Sequence, residues 1–131
     1  MSDTRIYIVD PDKDERNALV ENLQSVEYKV EALSSGKDIL RKVRKNGPHV
    51  VILDLDIKDM DPFELIPKLR TKNNDVQIIT ITHNSTSKMR KKVAKMGVLF
   101  HSTKPKHLYQ LKNIVDVTLE YENRRSHKTA V

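Results

Sequence analysis

The stretch that decides the fold is His49 to Asp54, with the sequence His-Val-Val-Ile-Leu-Asp. Its four consecutive apolar residues, mostly β-branched, are typical of a strand buried on both faces, as in a parallel sheet covered by helices. Gly47-Pro48 ends the preceding helix, and Asp61-Pro62 begins the next one. Ligands of such sheets bind beyond the carboxyl ends of the strands, so the carboxylate of Asp54 marks the expected site.

Four further apolar runs have the length of strands and alternate with amphipathic helical segments. The predicted strands are 5–9, 28–33, 49–54, 76–82 and 98–103. Five strands that alternate with five helices predict a doubly wound α/β domain with a parallel sheet and right-handed crossovers. We expect this domain to occupy residues 1–122, with a polar flexible tail over residues 123–131.

Length and composition limit the class of protein. With 131 residues the chain suits one domain and is too short for two. It contains no cysteine, which excludes disulfides and thiolate metal sites. No apolar run approaches the ~18 residues of a membrane span, and the N-terminus lacks the regions of a signal peptide. We therefore expect a cytoplasmic protein with no membrane partner.

The positive charge lies in the last third of the chain. Residues 1–84 hold 13 basic and 15 acidic side chains, whereas residues 85–131 hold 11 basic and 3 acidic ones. This asymmetry indicates that an acidic partner binds the basic face of the fourth and fifth helices. An acidic protein surface is the partner that we prefer. Nucleic acid is the less favoured partner, because the stretch from Ser85 to Val115 has only Phe100 and Tyr109 as aromatics and no groove-reading motif. The simplest alternative is a solvated lysine-rich helix.

Four polar side chains stand at or just beyond the ends of predicted strands: Asp10, Asp54, Thr82 and Lys104. Because those ends share one edge of a parallel sheet, the four side chains are predicted to converge. The two carboxylates suit Mg²⁺, and the hydroxyl and ammonium suit negative charge on phosphoryl oxygens. Asp54 could itself be the nucleophile that forms an acyl phosphate. The alternative is a set of helix caps and surface charges.

The order of these motifs resembles the receiver domain of bacterial two-component response regulators, of the chemotaxis-regulator type. The motifs are Val9-Asp10-Pro11-Asp12, Leu53-Asp54-Leu55 with Met60-Asp61, Ile81-Thr82 and Lys104-Pro105. The resemblance implies a flavodoxin-like (βα)₅ fold with strand order 2-1-3-4-5. It also implies a signalling module, and not an enzyme, that accepts a phosphoryl group on Asp54 from a histidine kinase or a phosphotransfer protein in a phosphorelay.

The resemblance also implies a role for each site residue. Thr82 would be the switch hydroxyl, Lys104 the lysine that contacts the phosphoryl group, and His101 would occupy the place of the aromatic switch residue. Asp10, Asp54 and the backbone of Asp56 would bind Mg²⁺. The bond between Lys104 and Pro105 would be cis.

Several positions depart from the family's pattern. Pro11 stands where a second acidic metal ligand is expected, with Asp12 as a further candidate ligand, so Mg²⁺ binding is expected to be weakened. Lys58, Pro62 and His83 replace the proline, glycine and small residue that the family has at these places. Asp56 and His83 would flank the acceptor and hinder or orient the hydrolytic water. The alternative function is therefore a pseudo-receiver, a protein-binding module that does not depend on phosphorylation.

The last predicted helix has a wide apolar surface. One face carries Leu108, Leu111, Val115 and Leu119, and the apolar residues Ile114, Val117 and Tyr121 lie beyond that face. This excess predicts self-association as a homodimer. The alternative is that the additional residues pack under a neighbouring loop.

Overall fold

The structure, a computed structural model, describes residues 4–24, 28–104 and 110–129, and of residues 122–129 only the backbone. The strands are β1 (Arg5–Val9), β2 (Lys29–Leu33), β3 (Val50–Asp54), β4 (Gln77–Thr82) and β5 (Phe100–Thr103). The helices are α1 (Lys13–Leu23), α2 (Gly36–Lys42), α3 (Pro62–Lys72), α4 (Ser87–Lys95) and α5 (Leu111–Thr129). Strands and helices alternate, as the sequence predicts.

The five strands form one sheet in the order β2-β1-β3-β4-β5, and every neighbouring pair is parallel. This confirms the predicted flavodoxin-like (βα)₅ fold. The central strand β3 pairs with β1 on one side and β4 on the other, and all five of its residues are buried. Asp54 therefore ends a fully buried strand at the centre of the sheet.

Both faces of the sheet are covered by helices. Because side chains alternate along a strand, Val51 and Leu53 pack in a core cluster with residues of α2, α3 and α4. Val50 and Ile52 point the other way and pack with residues of α1 and α5. This double cover explains why β3 is an unbroken apolar run.

The helix that follows β1 begins with an N-cap. The carboxylate of Asp12 accepts a hydrogen bond of 2.9 Å from the backbone N–H of Glu15, which satisfies one of the free amides of the first turn. Capping fixes the start of α1 directly beyond the carboxyl end of β1. The first turn of α1 is thereby placed at the same edge of the sheet as Asp54.

The last helix is longer than predicted. The expected domain end at residue 122 and flexible tail from residue 123 place the end of the last helix near Glu122, but α5 continues to Thr129. Residues 123–129 contain neither glycine nor proline, so nothing in that segment interrupts the helical backbone. The domain boundary at residue 122 remains a prediction. Pro105 and Leu108 lie outside the described residues, and so do the predictions that concern them.

In the part of the chain that the structure describes, each helix is too short or too polar to cross a lipid bilayer.

Candidate functional site

The four polar side chains predicted from strand ends lie together at the carboxyl edge of the sheet. Asp10 follows β1 directly, Asp54 and Thr82 are the last residues of β3 and β4, and Lys104 follows β5 directly. All four residues are buried, and only 3% of the surface of Lys104 is exposed. The doubly wound topology brings them together from four separate segments of the chain.

Lys104 is the centre of this group. Its ammonium nitrogen Nζ donates hydrogen bonds to Oδ2 of Asp54 (2.6 Å), Oε2 of Glu15 (2.6 Å) and Oδ2 of Asp10 (2.8 Å). An ammonium has three protons to donate, so these three carboxylates use its full capacity. Burial alone would lower the pKa of Lys104, but the three carboxylates outweigh it and hold that pKa well above its usual range.

The two buried aspartates are held in place by the backbone. Oδ1 of Asp10 accepts a hydrogen bond of 2.9 Å from the N–H of Asp12, and Oδ1 of Asp54 accepts one of 2.8 Å from the N–H of Asp56. Each bond closes an Asx turn between an aspartate and the residue two positions later. The remaining oxygen of each carboxylate is thereby directed towards Lys104.

The candidate phosphoryl acceptor, Asp54, is a weaker acid than an ordinary aspartate. Burial raises the pKa of Asp54 to about 6, although the ammonium of Lys104 and the amide of Asp56 favour the charged form and limit the rise. Above that pH the side chain is a carboxylate, which is the form that can attack phosphorus or bind a metal ion. Nucleophile and cation thus lie in direct contact inside a buried pocket.

The acidic group contains a residue that the sequence analysis missed. Asp10, Glu15 and Asp54 each offer a carboxylate oxygen, and these three oxygens lie within 4.8 Å of one another. Mg²⁺ prefers oxygen ligands and is commonly bound by a few carboxylates and water, so the donor set fits this ion. Asp12, the additional candidate from the sequence, caps α1, and its role as a metal ligand remains a prediction. Metal binding by the backbone of Asp56 remains a prediction.

A second layer of polar side chains borders the site. The hydroxyl of Thr82 donates to Oδ1 of Asp56 (3.1 Å), and Oδ2 of Asp56 lies 3.2 Å from Nδ1 of His83. The other ring nitrogen of His83, Nε2, pairs with Oε1 of Glu15. The pairing with Glu15 and then Asp56 raises the pKa of His83, because only the charged imidazolium donates from both nitrogens. His83 therefore links the loop after β3 to the first turn of α1.

His101, the predicted switch residue, is on β5, which is the neighbour of β4 on the side away from β3 and Asp54. Its Nδ1 is 2.8 Å from the hydroxyl of Thr80, its neighbour in the β4–β5 register, and its Nε2 is 2.9 Å from the hydroxyl of Ser85. Burial, helped by the charge of Arg90, lowers the pKa of His101 and favours the neutral ring. His101 thus joins β5 to the loop before α4. Its role as a switch remains a prediction.

Comparison with known proteins agrees with this geometry. The family whose sequence model matches the chain is the response regulator receiver domain, over residues 6–116. Sporulation initiation phosphotransferase F of Bacillus subtilis is 26% identical over 115 residues, which are 88% of this chain and 93% of that protein. Sensor histidine kinase RcsC of Salmonella typhi is 25% identical over 90% of this chain, which spans only 12% of that kinase.

A solved structure shows the same likeness in three dimensions. The BeF3-activated receiver domain of DrrB, a response regulator of Thermotoga maritima, superimposes with a TM-score of 0.81 and 27% identity. The match covers 92% of this chain and 99% of that one. The sheet order, the buried acidic pocket at its carboxyl edge and the matched residues agree in one conclusion. The chain belongs to the response regulator receiver domain family of two-component phosphorelay signalling.

Proposed function

We propose that this chain is a phosphorylatable receiver domain that accepts a phosphoryl group on Asp54 from a histidine kinase or a phosphotransfer protein. The observation that carries the proposal is the position of the buried Asp54 carboxylate, bonded to Lys104 and grouped with Asp10 and Glu15. The relative in Bacillus subtilis, a phosphotransferase that this chain nearly spans, supports a role in phosphoryl transfer. Receiver domains are generally signalling modules and not enzymes in their own right.

The proposed transfer is a displacement at phosphorus. An oxygen of the Asp54 carboxylate forms a bond to the phosphorus atom as the bond from phosphorus to the donor imidazole nitrogen breaks. The imidazole keeps the electron pair and takes up a proton, and the product on Asp54 is an acyl phosphate. The ammonium of Lys104 and the hydroxyl of Thr82 now donate to carboxylates. In the transfer these two groups would donate to the phosphoryl oxygens instead and so stabilise their negative charge.

Receiver domains typically bind Mg²⁺ at an acidic pocket. In this chain Asp10, Glu15 and Asp54 would hold the ion, which when bound neutralises charge on the phosphoryl oxygens. The three carboxylates carry more negative charge than Lys104 alone balances. Electrostatic attraction therefore favours the binding of a further cation in this pocket.

Incubation with acetyl phosphate and Mg²⁺, followed by intact-mass measurement, tests the proposal. We expect a mass gain of one phosphoryl group in the wild type and none in Asp54→Asn, whose amide is not a nucleophile. Asp59→Asn is the matched control, because Asp59 lies in the same loop and its carboxylate accepts hydrogen bonds from the N-terminal amides of α2. An unmodified wild type with Mg²⁺ bound would refute phosphoryl acceptance.

That negative outcome would support the pseudo-receiver. One observation favours this second function, namely a continuous series of hydrogen bonds around the acceptor. The series runs through Lys104, Glu15, His83, Asp56 and Thr82. Such a series can hold the unphosphorylated conformation on its own, without an ion or a phosphoryl group. The chain would then signal by binding a partner in this one conformation.

We place the surface for the downstream partner on α4. Lys104 is buried among carboxylates and Lys112 pairs with Asp116 at 3.2 Å, so neither is fully available to a partner. Among residues 85–104 and 110–121, whose side chains the structure describes, the exposed cations are Lys88, Arg90, Lys91, Lys92 and Lys95, all on α4. Complementary charge speeds encounter and selects partners, so an acidic protein surface fits this helix.

Charge reversal on α4 is expected to abolish capture of that partner. A pull-down at low salt compares the wild type with Lys91→Glu/Lys92→Glu/Lys95→Glu. The control reverses the exposed lysines Lys13, Lys45 and Lys58, which lie outside α4. Equal capture by both triple variants would contradict the proposal, and salt-sensitive retention of DNA by the wild type would favour nucleic acid instead.

Self-association is proposed through α5. Ile114 packs against the core cluster between the sheet, α1 and α5, but Val117 and Tyr121 are 50% and 46% exposed. These two residues are one helical turn apart and so form one apolar patch. We expect sedimentation to show concentration-dependent dimers that Val117→Ser/Tyr121→Ser removes. A wild type that stays monomeric at high concentration, phosphorylated or not, would contradict this prediction.

A further inference from the structure

We infer that Glu15 supplies the metal ligand that Pro11 cannot provide, and that His83 positions Glu15 for this task. The inference deepens the proposed function, because it concerns the Mg²⁺ site of the same pocket. It assigns roles to two residues that lie far apart in the sequence and outside the family's usual acidic pair. It rests on the direction in which each oxygen of Glu15 is held.

The first step concerns the missing ligand. Pro11 has no side-chain oxygen, and the carboxylate of Asp12 is engaged with the N–H of Glu15 as the cap of α1. Glu15 lies in the first turn of the same helix and is only partly exposed. One of its carboxylate oxygens lies within 4.8 Å of oxygens of Asp10 and Asp54, and its Oε2 shares Nζ of Lys104 with both aspartates. The glutamate side chain therefore reaches from the first turn of α1 into the acidic pocket, as a ligand in place of Pro11 must.

The second step concerns the orientation of Glu15. Its two oxygens have different partners: Oε2 meets Lys104 inside the pocket, and Oε1 meets Nε2 of His83 at the rim. A cation that entered the pocket could exchange with Lys104 at Oε2 and leave the bond to His83 intact. Hydrogen bonds of this kind, from an outer residue to a ligating carboxylate, fix ligand geometry and raise metal affinity.

The third step concerns the rigidity of His83. Its ring nitrogen Nδ1 and its backbone N–H both lie 3.2 Å from Oδ2 of Asp56. Asp56 is in turn bonded through Oδ1 to the hydroxyl of the buried Thr82. His83 is thus anchored to the end of β4 and the loop after β3, and it restrains Glu15 from outside α1. A glutamate without this restraint would lose more side-chain entropy on binding the ion.

Mg²⁺ titration of the unphosphorylated protein by calorimetry tests both roles at one fixed pH. Glu15→Gln is expected to weaken Mg²⁺ binding by about 10–100-fold, and His83→Ala by about tenfold. His83→Gln should recover part of the loss, because its amide can still donate to Glu15. His83→Ala should add nothing when Glu15→Gln is already present, because a positioning residue acts only through its ligand. Circular dichroism verifies that each variant is folded.

Two further variants complete the design. Asp14→Asn removes the same charge from the same helical turn, but Asp14 is exposed and lies outside the acidic group, so its Mg²⁺ affinity should stay near that of the wild type. Pro11→Asp should tighten Mg²⁺ binding, and it should restore binding to Glu15→Gln. If the Mg²⁺ affinity of Glu15→Gln equals that of Asp14→Asn, the proposed role of Glu15 is overturned. Independent losses from His83→Ala and Glu15→Gln would overturn the positioning role of His83.

The outcome is separable from that of the proposed function. Phosphoryl uptake on Asp54 at saturating Mg²⁺ tests the function, whereas the differences in Mg²⁺ affinity among variants test the inference. A wild type that takes up phosphoryl, with a Glu15→Gln variant of unchanged Mg²⁺ affinity, would refute the inference alone. A wild type that binds Mg²⁺ through Glu15 and takes up no phosphoryl would refute the function alone.

Discussion

Lys104→Met is expected to lower the free energy of unfolding at neutral pH by about 3–5 kcal/mol in the absence of Mg²⁺. Methionine keeps most of the length and volume of the side chain but removes the ammonium that donates to Asp10, Glu15 and Asp54. Asp10 and Asp54 are completely buried, so their charges would remain in a poorly solvated pocket without this counter-ion. Breaking a buried ion pair from one side is costly for that reason.

Urea denaturation at two pH values, with and without Mg²⁺, measures this effect. In the wild type the folded-state pKa of Asp54, about 6, lies above the ordinary value of 3.8, so its contribution to stability falls as pH rises through that window. Loss of Lys104 raises this pKa further, so the deficit of Lys104→Met should shrink as pH falls and the buried carboxylates take up protons. Mg²⁺ should also recover part of the loss, because it supplies positive charge to the same oxygens.

The control is Lys91→Met, because Lys91 is exposed on α4. Surface substitutions of this kind usually change stability by less than about 0.5 kcal/mol. If both variants lost the same free energy of unfolding at every pH, the buried carboxylates would not depend on Lys104 for their stability.

The fold could be predicted because local signals agreed with one another. The four consecutive apolar residues of β3 indicated burial on both faces, and the two core clusters on either side of the sheet explain that pattern. Strand ends were predicted to within a few residues because polar side chains such as Asp54 and Thr82 follow the apolar runs directly. The end of α5 was predicted less well, because a polar segment without glycine or proline carries no clear stop signal.

The four central site residues could be predicted for a topological reason. Asp10, Asp54, Thr82 and Lys104 each stand at the carboxyl end of a strand, and parallel strands bring those ends to one edge. Their convergence needs no knowledge of how any helix is rotated. The separation of the carboxylate oxygens, below 4.8 Å, then follows from the pairing of β1 with β3.

Glu15 could not be predicted in the same way. The spacing of Asp12 and Glu15 is typical of a capping box, in which the glutamate turns back to the start of its own helix. Whether that side chain faces the helix start or the sheet edge depends on the rotation of α1 against the sheet, which the periodicity of Leu19 and Leu23 sets only approximately. His83 was noticed as a departure from the family, but its link to Glu15 joins segments 68 positions apart.

Mg²⁺ affinity is expected to fall about tenfold between pH 7 and pH 5, because Asp54 must lose its proton to act as a ligand. Burial raises the pKa of Asp54 to about 6, so the metal-free side chain is mostly ionised at pH 7 and about nine-tenths protonated at pH 5. A carboxyl group with the ordinary pKa of 3.8 would remain almost fully ionised over this range. Acidification therefore weakens Mg²⁺ binding, and about 0.9 proton is released for each ion bound at pH 5.

Calorimetric titration at several pH values, in buffers of different ionisation enthalpy, measures both the affinity and the proton release. Asp54→Asn should bind Mg²⁺ weakly and with a much smaller pH dependence, since it lacks the titrating group. Asp14→Asn should retain the slope of the wild type, because Asp14 is an exposed acid outside the pocket. An affinity that stays constant from pH 7 to pH 5 would mean that Asp54 is ionised throughout. The contacts from Lys104 and Asp56 would then outweigh the cost of burying its charge.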